Sequence, residues 1–412
     1  MSKARENRNL IVGLDIGTSK IVAIVAEIKP EGGFEIIGMG NHPSRGLKKG
    51  VVANIETTVN AIQRALEEAE LMADCKISEA FTGIAGSHIK GFNSHGMVPI
   101  KDTEVSQKDV ERVMETAKAV SISADQQILH ILNQEFIIDG QEDVREPVGM
   151  SGIRLEVKVH IVTGAVSAAQ NIVKCVHRSG LEVRDLILQP LASAMAVLSE
   201  DEKDLGVCLV DIGGGTTDIA VFTHGAIRQT AVIPIAGDQI TNDIAMALRT
   251  PTKDAEDIKC HYGCALRSIA DTHETIDVPD VGNRGTRQLS RQTLAEVIEP
   301  RVEEIFSLVQ AELRRSGFEE LLSSGIVITG GSASLQGMVE LGEEIFHMPV
   351  RLGLPHYEGN LADVVHTPRY STGIGLLLAG MEQIQHQQNT RLQGGSAKQI
   401  FARMKGWFQK NF

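Results

Sequence analysis

Aromatic residues, cysteines and long apolar runs are all scarce in this 412-residue chain. Five scattered cysteines are too few for a disulfide framework. No apolar stretch reaches the roughly 20 residues of a membrane-spanning helix, and Asp15 interrupts the apolar start of the chain, so no signal peptide is expected. The sequence therefore predicts a globular protein of a reducing, cytoplasmic compartment, and its length favours two or more domains.

Basic residues are also in deficit, because the formal net charge is −13 at pH 7. A strongly acidic chain argues against general nucleic-acid binding. The deficit is uneven: no Asp or Glu follows Glu382, whereas residues 383–412 contain five Lys or Arg residues and the only tryptophan, Trp407. This asymmetry indicates a separate role for the C-terminal segment.

The same glycine turn occurs in both halves of the chain. Asp15 precedes Gly17-Thr18, and Asp211 precedes Gly213–Thr216; each turn lies between two predicted apolar strands. Either turn alone also fits an ordinary β-hairpin, but the shared Asp and Thr favour a duplicated domain with a cleft between the copies. Glycine turns let backbone N–H groups approach an anion, and the two aspartates could hold Mg²⁺ through water. A P-loop and a Rossmann fingerprint are excluded, because these glycines join strand to strand and no GxxxxGK[ST] occurs.

A third glycine motif follows the apolar strand predicted at 325–329. Gly330, Gly331 and Ser332 precede a predicted helix near 334–346. Such a motif permits a ring to pack flat against the backbone, and a helix N-terminus would add positive potential. Alone it also fits a plain strand–helix turn.

In this order the three motifs resemble the superfamily of actin, sugar kinases and 70-kDa heat-shock proteins, whose members bind ATP between two duplicated halves. Within it, the chain is similar to the bacterial FtsA family over nearly its whole length. The stretches that carry the resemblance are GLDIGTSKI (13–21), ELMADCKIS (70–78), PVGMSGIRLEVKVHIVTG (147–164), GVCLVDIGGGTTDIAV (206–221), QTLAEVIEPR (292–301) and VITGGSASLQGM (327–338).

The resemblance implies an α/β fold: an actin-like, duplicated two-half ATPase with an inserted α+β subdomain and a C-terminal amphipathic helix. Hinge helices are expected at 190–198 and 371–380. The expected units are a first half (1–85 and 163–199), an inserted subdomain (86–162), a second half (200–370) with a partner-binding subdomain at about 233–305, the second hinge helix (371–380), a flexible linker (381–397) and a membrane-targeting helix (398–412).

The resemblance also assigns contacts to ATP and Mg²⁺. The metal is expected near Asp15 and Asp211, through water. The expected ATP contacts are Gly17, Thr18, Ser19 and Lys20 from one half, Gly213, Gly214, Gly215, Thr216 and Thr217 from the other, Gly237 and Asp238 near the ribose and phosphates, Glu256 and Lys259 at the nucleoside, and Gly330, Gly331 and Ser332 beside the adenine. Glu256 and Lys259 also fit a solvated ion pair on one helix face.

Gln189 departs from the pattern of several relatives, which have a Glu there that helps to activate water. A Gln can orient a water molecule but is a poor general base. We therefore expect slow ATP hydrolysis or none.

The C-terminal segment has the pattern of a membrane-surface helix. Apolar residues fall on one helical face, basic residues occupy the rest, and acids are absent, which is typical of interfacial binding to anionic lipid. The apolar residues are Ile400, Phe401, Met404, Trp407 and Phe408, and the basic ones are Lys398, Arg403, Lys405 and Lys410. A helix packed on its own domain or in a protein groove is the alternative.

The function implied is that of an actin-like cell division protein that polymerises and ties the FtsZ ring to the cytoplasmic face of the inner membrane at the septum. Expected partners are the FtsZ C-terminal tail, further copies of the chain, anionic lipid and other division proteins. The partner surface is expected at Arg287, Arg291, Arg301 and Glu304, which also fit solvated helix charge. The rival is a sugar- or acetate-type kinase. A heat-shock chaperone is not expected, because too few residues follow Gly380 for a substrate domain.

Overall fold

A computed structural model describes residues 9–282 and 285–392 of the chain. The first half contains a five-stranded sheet and a short hairpin. Its first elements are β1 (Leu10–Ile16), β2 (Lys20–Ile28), β3 (Phe34–Pro43), the hairpin strands β4 (Leu47–Lys48) and β5 (Val51–Val52), α1 (Ile55–Ala73) and β6 (Glu79–Ile84). The helix α1 begins after Asn54, whose side chain accepts the N–H of Thr57.

An inserted unit follows β6 before the first half is completed. It comprises β7 (Lys90–Pro99), α2 (Gln107–Lys118), β8 (Gln126–Ile138), β9 (Gln141–Val144) and β10 (Arg154–Ala165), with sheet order β7-β10-β8-β9. Its strands are antiparallel, α2 covers one face, and the unit has its own apolar core. The chain then returns to the first half as α3 (Val166–Arg178), β11 (Glu182–Leu188) and α4 (Gln189–Val197).

The second half repeats the sheet of the first. Its elements are α5 (Glu200–Leu205), β12 (Val207–Ile212), β13 (Thr217–Thr223), β14 (Ala226–Ile233), α6 (Gly237–Ala247), α7 (Thr252–Tyr262), the hairpin β15 (Thr275–Pro279) and β16 (Thr286–Ser290), α8 (Arg291–Ser316), β17 (Ile326–Thr329), α9 (Met338–Phe346), β18 (Val350–Leu352), α10 (Ala362–Val365) and α11 (Ser371–Leu392).

The two sheets have one topology, which confirms the predicted duplication. The first has the order β3-β2-β1-β6-β11 and the second has the order β14-β13-β12-β17-β18. In each, three antiparallel strands form a meander, and two parallel strands extend it beyond the first strand. Asp15 and Asp211 are each the next-to-last residue of the equivalent strands β1 and β12. The duplication therefore places both aspartates at equivalent edges of the two sheets.

The inserted unit contacts the second half through polar groups on β14. The imidazole of His160 on β10 is fully buried; its Nδ1 lies 2.7 Å from Asn93 Oδ1 and its Nε2 lies 2.8 Å from Thr230 Oγ1. The amide of Gln134 donates to the carbonyl of Ile227 at 2.9 Å. Burial lowers the pKa of His160 to about 4. The contact therefore holds a neutral imidazole between the two units.

The helices α4 and α11 cross at van der Waals distance. A Cβ atom placed on Gly375 would lie 1.7 Å from the carbonyl oxygen of Ala192, so only glycine fits there. A Cβ on Gly13 of β1 would lie 2.9 Å from the carbonyl oxygen of Gly373, so α11 also packs closely on the first sheet. The two expected hinge helices are therefore packed backbone to backbone.

The expected flexible linker at 381–397 is wrong for its first part, because α11 continues through Gly380 to Leu392. Met381 packs on the apolar core, Ile384 is buried in it, and the amide of Gln383 donates to Asp185 Oδ2 at 2.6 Å. These contacts and the absence of Gly or Pro between 381 and 392 extend the helix. The membrane-targeting helix expected at 398–412 lies outside the described residues.

We expect Gly375→Ala to destabilise the fold by about 2 kcal/mol or more, because the new Cβ would force the crossing helices apart. Urea unfolding measures the change. The matched control is Gly342→Ala in α9, also within a helix, where the nearest atoms to the new Cβ are Val350 methyl groups at 3.3 Å. The control should be neutral or slightly stabilising, since Ala favours helix over Gly; equal loss in both variants would contradict the interpretation.

Candidate functional site

The two glycine turns meet where the halves face each other. A Cβ atom on Gly214 would lie 2.9 Å from Ser19 Cβ, and a Cβ on Gly215 would lie 2.7 Å from Thr18 Oγ1. The backbone N–H groups of Thr18, Ser19, Gly214 and Gly215 donate to no acceptor within the described residues. Free amide groups that converge from two turns form an anion-binding concavity. The sequence prediction that these turns face one cleft is in agreement with this geometry.

The third glycine motif joins the same place. The carbonyl oxygen of Gly213 accepts the N–H of Gly237 at 3.1 Å and the hydroxyl of Ser332 at 2.8 Å. Gly330 has φ +89, and a Cβ there would lie 2.4 Å from Asp211 Oδ1, so glycine is required. Gly331 is exposed, with no atom within 4 Å of where its Cβ would be. The motif therefore closes one side of the cleft and leaves open space beside Gly331.

The helix expected near 334–346 begins four residues later than predicted. Residues Gly331–Ser334 form a single 3₁₀ turn, and α9 begins only at Met338, after Gly337 with φ +83. The dipole of α9 therefore acts several residues away from Gly330. The nearer N-terminus is that of α6, where the N–H of Asp238 donates to the carbonyl of Gly214 at 2.7 Å.

Three carboxyl groups are buried at the base of the cleft. Burial raises the pKa of Asp15 to about 6, although the charge of Lys20 opposes the shift. Burial also raises the pKa of Asp211. Asp218 lies opposite Asp211 in the β12–β13 ladder, and burial together with the charge of Asp211 raises its pKa to about 8. Asp218 accepts the hydroxyl of Thr216 at 2.9 Å, but its Oδ1 is buried without a partner in the described residues.

Both crossing helices contribute hydrogen bonds to these carboxylates. The Ser193 hydroxyl of α4 donates to Asp211 Oδ2 at 2.6 Å, and the Thr372 hydroxyl of α11 lies 3.4 Å from the same oxygen. The amide of Gln189, at the start of α4, donates to Asp15 Oδ1 at 3.0 Å. Gln189, which was expected at most to orient a water molecule, therefore uses its amide nitrogen in a hydrogen bond to Asp15.

Lys20 is the cation nearest these carboxylates in the described residues. Its amine donates to the carbonyl of Arg369 and lies 4.7 Å from the centroid of the Tyr370 ring. Burial lowers the pKa of Lys20 to about 8, while the charges of Asp15 and Asp211 oppose that shift. The Lys20 ammonium therefore acts on two of the three buried carboxyl groups, Asp15 and Asp211.

The two residues expected at the nucleoside, Glu256 and Lys259, also bond within the protein. The amine of Lys259 is buried and donates to the carbonyl of Gly237 at 3.1 Å, to Thr241 Oγ1 at 2.8 Å and to Glu256 Oε2 at 2.7 Å. The pair is therefore not the solvated one that the sequence left open, since it ties α7 to the start of α6.

Thr217 does not line the cleft. Its side chain is fully buried, and its hydroxyl donates to the carbonyl of Ile235 at 2.8 Å. Alternation along β13 directs this side chain into the second half, so the phosphate contact expected of Thr217 would have to come from its backbone.

A magnesium ion beside these carboxylates would need water molecules or phosphate oxygens for most of its ligands. Within residues 9–282 and 285–392 no three His, Cys, Asp or Glu side chains are arranged to hold a metal. Mg²⁺ usually keeps several waters and takes one or two carboxylates together with phosphate oxygens. Asp15 and Asp211, with the unpartnered Oδ1 of Asp218 nearby, suit that mode of binding.

Asp218 is the site residue that sequence reasoning missed. It is the second residue after Thr216 and faces Asp211 across the hairpin. The predicted hairpin could have revealed Asp218, because residues that pair across an antiparallel ladder point to the same face of the sheet.

The four residues expected at a partner surface are engaged within the chain. Arg301 of α8 forms two hydrogen bonds with the carboxylate of Asp243, at 2.5 and 3.1 Å, and also pairs with Glu304. Arg291 pairs with Glu274 at 3.0 Å, and Arg287 donates to the carbonyl of Leu248. Arg291 and Arg301 are ten residues apart on one helix, or about 15 Å. They do not form one free cationic cluster.

Comparison with known sequences identifies relatives over the whole chain. The sequence profile "Cell division protein FtsA" matches residues 208–375, and "SHS2 domain inserted in FTSA" matches residues 86–163, which is the inserted unit. Proteins named Cell division protein FtsA are 61% identical in Pseudomonas aeruginosa, with 99% of each chain covered, and 48% identical in Escherichia coli K12, with 100% of each chain covered.

Solved structures of distant proteins share the fold. A PilM–PilN type IV pilus biogenesis complex matches with a TM-score of 0.65 at 16% identity, covering 90% of this chain and 98% of that one. MreB5 of Spiroplasma citri bound to ADP matches with a TM-score of 0.52 at 16% identity, covering 95% and 100%. The predicted fold class is confirmed: the chain has an actin-like, two-half α/β fold with an inserted SHS2 domain.

We expect Asp218→Asn to stabilise the protein increasingly as pH rises. The folded pKa of Asp218, about 8, lies above its ordinary value of 3.8, so the folded state keeps a proton that the unfolded state loses. The stability linked to this group is complete below pH 4 and is lost as pH rises through 8. The asparagine side chain of the variant does not titrate. The free energy of unfolding of the variant, relative to that of the wild type, should therefore rise by up to about 1.4 kcal/mol per pH unit and level off above pH 8.

Urea unfolding at pH 5, 6, 7, 8 and 9, without divalent cations, measures this difference. A difference between variant and wild type that stays constant from pH 5 to pH 9 would show that Asp218 is not held protonated in the fold.

Proposed function

The chain belongs to the FtsA family of cell division proteins, and from that premise we propose that it binds ATP, polymerises and anchors the FtsZ ring to the membrane. The proposed place of action is the cytoplasmic face of the inner membrane at the division septum. The observation that carries the nucleotide part is the convergence of free backbone amides from Thr18, Ser19, Gly214 and Gly215.

The arrangement suits Mg²⁺–ATP in particular. Amide groups of the two turns would bind the phosphates, while Asp15 and Asp211 would face a hydrated Mg²⁺ that the phosphates also bind. The ion would place positive charge beside carboxyl groups whose burial is costly without it. The open space beside Gly331 would accept the adenine ring. The residues of the cleft thus supply complementary groups for each part of the nucleotide.

We infer that hydrolysis is at most slow. Gln189 cannot take a proton from water, and its amide nitrogen is bound to Asp15. The rival function of a small-molecule kinase is not supported, since relatives that match over nearly the whole chain carry the name of a cell division protein.

We expect Gly215→Ala to weaken binding of Mg²⁺–ATP by roughly tenfold or more, about 1.4 kcal/mol. The new Cβ would press on Thr18 Oγ1 and on Lys49 Cα, 3.1 Å away, and spread the turns whose amides bind phosphate. Isothermal titration calorimetry measures the affinity. Gly342→Ala, remote from the cleft, should bind like the wild type; Gly215→Ala with wild-type affinity would remove the turns from the proposed site.

The membrane part rests on the sequence of residues 398–412. In the described part of the chain, no helix combines the length and the apolar character needed to cross a bilayer. The proposed anchor is the basic amphipathic segment at 398–412, which follows α11 in the sequence. A single such segment binds weakly, whereas many segments in a polymer bind firmly through high effective concentration.

We expect Trp407→Glu to release the protein from anionic vesicles, because the charge would fall on the apolar face. Vesicle co-sedimentation measures this. The matched control is Gln409→Glu, which adds the same charge on the opposite helical face and should still bind, although less tightly. In the wild type, the emission of the only tryptophan should shift to the blue on binding; co-sedimentation without that shift would exclude the segment as the anchor.

The FtsZ tail is the proposed protein partner, received on the surface around α6 and α8. The charged groups of Arg301 and Glu304 remain a quarter to a half exposed there. Because Arg301 also holds Asp243, a partner carboxylate would have to share this cation rather than meet a free one.

A further inference from the structure

The hairpin formed by β4 and β5 has an unusual residue at its tip. The two-residue loop between Lys48 and Val51 consists of Lys49, with φ +51, and Gly50, with φ +75. Two successive left-handed residues are typical of a type I′ turn, where Asn-Gly or Gly-Gly is preferred. A lysine in that conformation is strained, and strain at one residue is often retained where its side chain has a function.

The tip is wedged against both glycine turns. The N–H of Gly50 donates to Thr18 Oγ1 at 3.0 Å, and Lys49 Cα lies 3.1 Å from where a Cβ on Gly215 would be. From behind, Gly50 packs so closely on Gly86 that a Cβ on Gly50 would lie 2.6 Å from the Cα of Gly86. The backbone of Lys49 is therefore fixed beside the free amide groups of both halves.

The amine of Lys49 has no hydrogen bond or ion pair to any described residue, although the residue is half-buried. The other buried or half-buried lysines in the described ranges each have an acidic or carbonyl partner: Lys20, Lys29, Lys118, Lys158, Lys203 and Lys259. An ammonium without a protein partner is free to form charge-assisted hydrogen bonds with a bound anion, which are the strong ones.

A second group nearby also lacks partners. His88 lies behind the tip, where a Cβ on Gly86 would be 2.9 Å from its Nδ1. Both ring nitrogens of His88 are buried without a hydrogen-bond partner in the described residues. A neutral imidazole has one N–H and one acceptor nitrogen, so a polar atom or a bridging water beside His88 would be stabilised.

We propose that Lys49 is a third phosphate-binding element, whose amine binds the phosphate chain of the nucleotide between the two glycine turns. The inference rests on the proposed function, because it needs ATP in the cleft. It explains why a strained lysine occupies a position where asparagine would be more stable. The turns supply neutral amide groups, and Lys49 supplies a cation from the hairpin that covers them.

The test compares Lys49→Asn, Lys49→Arg and the control Lys48→Asn. Asn relieves the strain, so Lys49→Asn should unfold at the same temperature as the wild type or higher, while its affinity for Mg²⁺–ATP falls tenfold or more. Lys49→Arg should keep the affinity within about threefold, because the charge is retained. Lys48→Asn removes an exposed neighbouring charge and should change affinity less than twofold. Calorimetry and thermal unfolding without nucleotide give the two readouts.

The outcomes separate this inference from the proposed function. If the wild type binds Mg²⁺–ATP and Lys49→Asn binds it within twofold, the role of Lys49 is overturned and nucleotide binding stands. If the wild type does not bind, both fail. If Lys49→Asn loses binding and also unfolds earlier, Lys49→Arg decides: retained affinity supports the phosphate contact, and a loss equal to that of Asn overturns it.

Discussion

Burial of carboxyl groups without enough cations is the constraint on which the cleft depends. Asp15, Asp211 and Asp218 are buried together, and Lys20 is the nearest ammonium in the described residues. Burying charge in this way costs stability unless protons or cations compensate, and burial raises the pKa of all three groups, which favours their protonated forms. A site of this kind is less stable than an apolar one of the same shape, and it gains stability when a cation binds. The fold therefore carries a local cost that a bound metal–nucleotide complex would relieve.

The helix crossing connects this charged site to the rest of the molecule. Ser193 of α4 and Thr372 of α11 hydrogen-bond the same oxygen of Asp211, and three residues further along α11 Gly375 touches Ala192 of α4. The helices cannot slide or separate at this point without disturbing Asp211. Because α11 is one continuous helix of 22 residues, about 33 Å long, it also sets the position from which the C-terminal segment leaves. The contact with the Asp211 carboxylate thus lies near the start of α11, and Leu392 lies at its other end.

The sequence predicted the duplicated halves, because glycine turns after apolar strands leave a local signal that repeats. It also predicted the glycine residues of the cleft, since their spacing reflects turns of fixed geometry. It failed where the outcome depends on packing. Gly380 and the polar residues after it suggested a linker, but Met381, Gln383 and Ile384 find partners on the body and keep the helix intact. The expected phosphate-binding segment 213–217 did not reveal side-chain directions: the alternation of β13 buries the Thr217 side chain and brings Asp218 beside Asp211.

Lys49 and Arg301 show that a sequence alone does not reveal whether a charged side chain is free to bind a ligand. Both are cations in an acidic chain, and neither has a local pattern that states whether its charge is free. The fold neutralises Arg301 with Asp243 and Glu304, whereas it leaves Lys49 half-buried without a partner in the described residues. A paired cation contributes little further attraction to a peptide, since the peptide must displace or share an existing partner. An unpaired, partly desolvated cation contributes its full interaction to whatever anion arrives. Electrostatic binding should therefore be concentrated at the cleft, and recognition of a peptide on α6 and α8 should depend more on shape and apolar contact than on charge.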